Sequence, residues 1–196
     1  MIAGVAHGDI KPSNFLVQDE DDLPNCILND FGSCVILGQS RLPTISPPWS
    51  APELYSTSHE LGFHDLRQAD IYSLALVCIH LLVPLSVLQG AGLCFLRQDC
   101  EDNAKLDVIH ELEQAKCSTG PNSLESRFLA LIHQIDIAKE LVSLLDVIIH
   151  RALRPCAEER EMPWAEIFEL TRNSFTPKGY LPSFYLPFYC FLYTIQ

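Results

Sequence analysis

The stretch ADIYSLALVCIHLLV, residues 69–83, is the tightest constraint on how this chain folds. Drawn as a helix it is apolar on nearly every side, so it has no face for water and must lie inside a shell of other elements. Its apolar part is too short to cross a bilayer, which needs about 20 such residues. Within it, His80 is expected to be a hydrogen-bonded core residue rather than a ligand. Hydrophobic residues make up 48% of the 196 and charged residues 19%, which suits one globular domain with a sizeable core.

The formal net charge of −12 argues against a general nucleic-acid or anionic-membrane binder, since both call for clustered Lys and Arg. Part of that charge is local: Asp19, Glu20, Asp21 and Asp22 form one run, read as a solvated turn rather than a metal site. The eight cysteines are scattered with no C-x-x-C pair, which implies reduced thiols, a cytoplasmic chain and no zinc site. MIAGVAHGD has no basic segment leading into an apolar core, so it does not read as a signal peptide.

Along the chain, Asn14–Val17 and Cys26–Leu28 read as the strands of a hairpin with a long polar turn. Residues 32–52 carry four of the thirteen prolines and should form an irregular loop. Leu106, Ile109 and Leu112 suggest a helix that breaks at Gly120-Pro121. From Leu124 to Leu153, apolar spacings of three and four predict one long or two shorter amphipathic helices ending before Pro155. Pro163 suits the first turn of a last helix whose inner face holds Trp164, Ile167, Phe168 and Leu170. The chain is therefore expected to be mainly α with a small β-hairpin near the front.

That hairpin bears on chemistry. It links Asp9, Lys11 and Asn14 in VAHGDIKPSNFLV with Asp30 in DFG. Two carboxylates and an amide gathered in this way make an oxygen-rich site suited to Mg²⁺. A lysine beside them supplies positive charge for an anionic group in transfer.

In these motifs the sequence resembles the protein kinase family, specifically its C-terminal lobe. His7-Gly8-Asp9 resembles the H-R-D of the catalytic loop, with Asn14 five residues after Asp9. Asp30-Phe31-Gly32 resembles D-F-G, and Ala51-Pro52-Glu53 is the A-P-E that closes the activation segment. Ser46 stands where the family usually has a Thr, and Asp70 and Ser73 resemble the D-x-W-S of the central helix. Arg160 resembles the late Arg that pairs with the A-P-E glutamate. Each motif alone is weak; all of them in order are a strong signal.

The resemblance implies catalytic roles for Asp9, which would orient the substrate hydroxyl and accept its proton, and for Lys11, near the transferred phosphate. It implies Mg²⁺ held by Asn14 and Asp30, and ATP bound with the help of Lys11, Asn14 and Asp30. The position of Lys11 is typical of Ser/Thr kinases rather than Tyr kinases. Small-molecule phosphotransferases share an H-G-D…N loop, but Lys11 and the A-P-E favour a protein kinase.

Two departures matter. Gly8 replaces the Arg that in many kinases grips a phosphorylated activation loop, and the segment from Asp30 to Glu53 is short, so loop phosphorylation is not expected to be the on-switch. No G-x-G-x-x-G and no V-A-I-K-like strand occurs, so the N-lobe is expected to be absent and the apolar helix to lack a neighbour. Each uncovered aliphatic residue would forfeit about 1.5–3 kcal/mol. Residues 1–173 are accordingly read as a partial kinase-like domain and 174–196 as an apolar aromatic tail of unknown role, either packed on the lobe or a mispredicted end of the gene rather than a membrane anchor. The function expected is ATP- and Mg²⁺-dependent transfer to protein Ser/Thr once an N-lobe completes the site; the alternative is a catalytically inactive scaffold. The expected partner is a protein, either a substrate or a chain that covers the lobe.

Overall fold

The computed structural model describes residues 4–20, 23–56, 58–91, 93 and 102–174. They are mostly helical, with three two-stranded antiparallel pairings. Strand β1 (Val5–Ala6) pairs with β4 (Val35–Ile36), β2 (Phe15–Glu20) with β3 (Leu23–Leu28), and β5 (Ser40–Arg41) with β6 (Leu61–Gly62). The helices are α1 (Pro52–Ser56), α2 (Phe63–Leu82), α3 (Leu85–Gly90), α4 (Asp102–Cys117), α5 (Leu124–Ile132), α6 (Lys139–Ala152) and α7 (Trp164–Ser174).

Helix α2 is the axis of the molecule. It starts six residues before the apolar run, at Phe63, where the Asp65 carboxylate accepts the Gly62 N–H at 3.1 Å and satisfies a donor that the helix cannot. It stops at Val83 because Pro84 disfavours helical backbone before it. From Ala69 to Ile79 every residue is buried, with β1, β4, β6 and α6 packed around the helix. The expected lack of a neighbour is therefore corrected: elements of this chain itself enclose α2. Exposed apolar side chains lie elsewhere, at Leu16, Val17 and Ile27 on the hairpin and at Ile36, Leu37, Leu42 and Ile45 beyond it.

Three further expectations change and one is decided. The β2–β3 register runs on to Glu20↔Leu23, so only residues 21 and 22 join the strands and the long turn is replaced by a longer ladder. Backbone pairing needs no apolar side chains, which is why the polar half of the hairpin escaped a hydropathy reading. Asp19 and Glu20 belong to β2 rather than to a turn, while 21 and 22 lie outside the described residues. Of the two arrangements expected for residues 124–153, the structure has the two shorter helices, broken at 133–138. His80 packs edge-on against Trp49, ring centroids 5.5 Å apart, and its buried Nδ1 has no hydrogen-bond partner among the described residues. The tail from 175 lies outside the described residues. Among the described residues no helix is long and apolar enough to cross a membrane.

Candidate active site

The site is built on the buried carboxylate of Asp70, in the middle of α2. The His7 N–H donates to Asp70 Oδ2 at 2.6 Å and the Gly8 N–H to Oδ1 at 2.9 Å, which fixes the turn leading to Asp9 onto the buried helix α2. Burial pushes the Asp70 carboxyl up to about 7, against the pull of these two N–H groups. His7 Nε2 donates to the Asn29 carbonyl at 2.9 Å and Nδ1 accepts the Asp9 N–H at 3.3 Å, which sets the tautomer. The ring also stands edge-on to Phe31, so His7 ties together the segments holding Asp9 and Asp30.

Gly8 has φ +75°, and a Cβ there would lie 2.6 Å from the Ser33 carbonyl oxygen. The backbones of the two loops approach so closely that the glycine is a packing requirement as well as a departure from H-R-D.

Asp9, Lys11, Asn14 and Ser46 form one connected group. Lys11 Nζ donates to Asp9 Oδ2 at 2.7 Å and to Ser46 Oγ at 3.0 Å. Asn14 Nδ2 donates to the Asp9 carbonyl at 2.8 Å and to Oδ2 at 3.3 Å. Burial alone would raise the Asp9 carboxyl, but hydrogen bonds from Lys11, Ser46 and Asn14 and the Lys11 charge hold it below the usual carboxylate value. The Lys11 and Asn14 bonds both fall on Oδ2, while Asp9 Oδ1 is buried with no partner among the described residues. That leaves the carboxylate with one unfilled acceptor, which is costly where it is enclosed.

Asp30 is reached through the hairpin. The Asn29 N–H bonds the Asn14 carbonyl at 2.8 Å, so the backbone places Asp30 at the same end of the hairpin as Asn14. Asp30 holds a left-handed conformation, φ 61° and ψ 70°, and its exposed carboxylate accepts the Gly32 N–H at 3.3 Å. Because Asn14 Nδ2 is spent on Asp9, the side-chain oxygen Oδ1 of the same amide is left for a ligand. That oxygen and the Asp30 carboxylate are the hard donors Mg²⁺ prefers, so the residues present fit the cation.

The segment from Asp30 to Glu53 is held by its own bonds. Ser33 and Thr44 hydroxyls lie 2.7 Å apart, and Arg41 donates to the Gly32 carbonyl at 2.5 Å. At its end, Arg160 grips Glu53 with both arms of the guanidinium, at 2.6 and 2.8 Å, as the sequence predicts. Sequence reasoning missed Ser50, whose Oγ accepts the Ser46 N–H at 2.8 Å and so supports the serine that meets Lys11. A serine beside an A-P-E carries no signal of such a bond.

Comparison with known proteins follows the same lines. The family model of the protein kinase domain matches residues 2–154. The chain is similar to the mitogen-activated protein kinase mpkC of Aspergillus oryzae, 26% identical over 155 residues, covering 75% of this chain and 42% of that protein. It is similar to the serine/threonine-protein kinase chk1 of Schizosaccharomyces pombe, 34% identical over 86 residues, covering 41% of this chain and 16% of that protein. The chain thus spans less than half the length of these curated relatives. No solved structure matches it.

Proposed function

Since the chain belongs to the protein kinase domain family, we propose that it is the C-terminal lobe of a Ser/Thr protein kinase that transfers a phosphoryl group from ATP to a protein hydroxyl when an N-lobe completes the site. The observation that carries this reading is the Lys11 ammonium held between Asp9 and Ser46, beside the orphaned Asp9 Oδ1. In this reading the Asp9 carboxylate receives the substrate hydroxyl and takes its proton, while Lys11 neutralises charge on the group in transfer. Asn14 and Asp30 would hold Mg²⁺, which when bound supplies charge neutralisation at the phosphates. The Ala51-Pro52-Glu53 segment, locked to Arg160, favours a protein kinase over a small-molecule phosphotransferase.

The test is transfer of labelled phosphate from ATP to a protein acceptor by the full-length protein, compared with Asp9→Asn. Loss of the proton acceptor is expected to lower the rate by about 10²–10⁴-fold, the usual worth of general-base catalysis. Equal rates in both proteins, or no Mg²⁺-dependent nucleotide binding, would replace this reading with that of an inactive scaffold.

A further inference from the structure

Lys116 lies in the last turn of α4, more than a hundred residues from Asp9 in sequence, and its side chain is almost wholly enclosed at 1% exposure. A buried ammonium is costly unless its donors are matched. Here Nζ donates to the carbonyls of Pro48 and Ser50, both at 2.5 Å, and stands over the rings of Tyr55 and Tyr72, 5.4 and 5.8 Å from their centroids. Cation–π attraction acts at such distances. The charged groups nearest it are Glu113 on its own helix, Glu53 on α1, and Arg160, with Cys117 adjacent.

What Lys116 holds is a closed turn. The Trp49 and Ser50 N–H groups both donate to the Ser46 carbonyl, at 2.8 and 3.2 Å, and the Ser46 N–H donates to Ser50 Oγ at 2.8 Å. The outward carbonyls of that turn are those Lys116 takes. From the other side of Ser46, Oγ accepts Lys11 Nζ, which in turn holds Asp9. An unbroken path therefore runs from Lys116 to Ser50, Ser46, Lys11 and Asp9.

We propose that Lys116 is a positioning residue for the Lys11–Asp9 pair, acting from α4 through Ser50 and Ser46. The assignment rests on the reading of Asp9 and Lys11 given above, and its test does not depend on phosphoryl transfer. Buried ammonium groups of this kind usually only complete a core. The distinction here is that both carbonyls belong to the one turn that presents Ser46 to Lys11.

The experiment records the ammonium signal of Lys11 by ¹H–¹⁵N NMR in the full-length protein. Ser46→Ala sets the scale for a lost Ser46–Lys11 bond, with ammonium proton exchange expected to rise about fivefold, the equivalent of one hydrogen bond. Lys116→Met and Ser50→Ala should each move the same signal in the same direction, with exchange at least twice that of the wild type. Combining Lys116→Met with Ser46→Ala should add little, because both cut one path. An unmoved Lys11 signal in folded Lys116→Met would overturn the proposal, and so would an unmoved signal in Ser50→Ala. Thermal unfolding reports whether the variants fold; if Lys116→Met does not, Lys116→Gln, which keeps one amide donor, is read in the same way. Should neither Lys116 variant fold, the lysine is a folding residue and the proposal falls. A positive result in a protein that transfers no phosphate would leave the positioning role standing and remove only the catalytic reading.

Discussion

At the scale of single residues, two positions decide how the site is held. At Gly8 a side chain must displace the Ser33 backbone while keeping φ at +75°. Gly8→Ala is expected to cost about 1–3 kcal/mol, the usual price of such strain. At this chain length that is about 2–4 °C in Tm per kcal/mol. An unchanged Tm in a thermal melt would mean that the Ser33 loop yields freely. At Arg160 the fully enclosed guanidinium meets a Glu53 carboxylate that is partly open to solvent. Arg160→Ala should therefore cost about 3 kcal/mol, the low end for a broken buried pair. Arg160→Lys should recover little of it, because an ammonium cannot match the two-pronged bond or cover the Tyr72 ring, 4.8 Å away. Urea unfolding of the two variants checks both statements.

Among the elements, α2 and the β2–β3 hairpin carry similar side chains to opposite ends. Ile79 is fully enclosed in α2, whereas Val17 on β2 is 58% exposed. Ile79→Ala is expected to cost about 2–5 kcal/mol through the cavity it leaves. Val17→Ala should stay within about 0.5 kcal/mol, as surface changes do. Comparable losses for both in chemical denaturation would contradict the burial of α2. The contrast also explains why the site is anchored where it is. The loop bearing Asp9 hangs from Asp70 on the enclosed helix α2, while Asp30 lies exposed just beyond β3.

For the whole molecule, two buried ionisable groups set opposing slopes of stability with pH. Asp70, raised to about 7 by burial, keeps its proton in the folded state where the unfolded carboxyl has lost it. Its contribution is therefore greatest below the unfolded value of about 4 and declines as pH rises towards 7. Burial pulls Lys116 down to about 7, against Glu113, Cys117 and Glu53, so the unfolded state holds the extra proton above that pH. Its penalty is in force at neutrality and is relieved as pH climbs towards about 10.4. Melting temperatures measured from pH 4 to 10 should show Asp70→Asn flattening the acidic side and Lys116→Met the alkaline side. Wild-type slopes in both variants would contradict the burial of these charges.

Much of this was legible in the chain itself. The order His7-Gly8-Asp9, Asn14, Asp30-Phe31-Gly32, Ala51-Pro52-Glu53 and Arg160 marks the family, because each residue type is tied to its role by its own chemistry. The run at 69–83 fixed a central helix, since an all-apolar helix admits no other place. The covering of α2, the length of the hairpin and the break between α5 and α6 depend on backbone pairing and on contacts from distant segments, for which hydropathy has no local sign. The bond from Ser50 to Ser46 and the reach of Lys116 are of the same kind. A serine and a lysine read as solvated surface until folding closes the shell around them, and only then does the cost of an unmatched polar group dictate their partners.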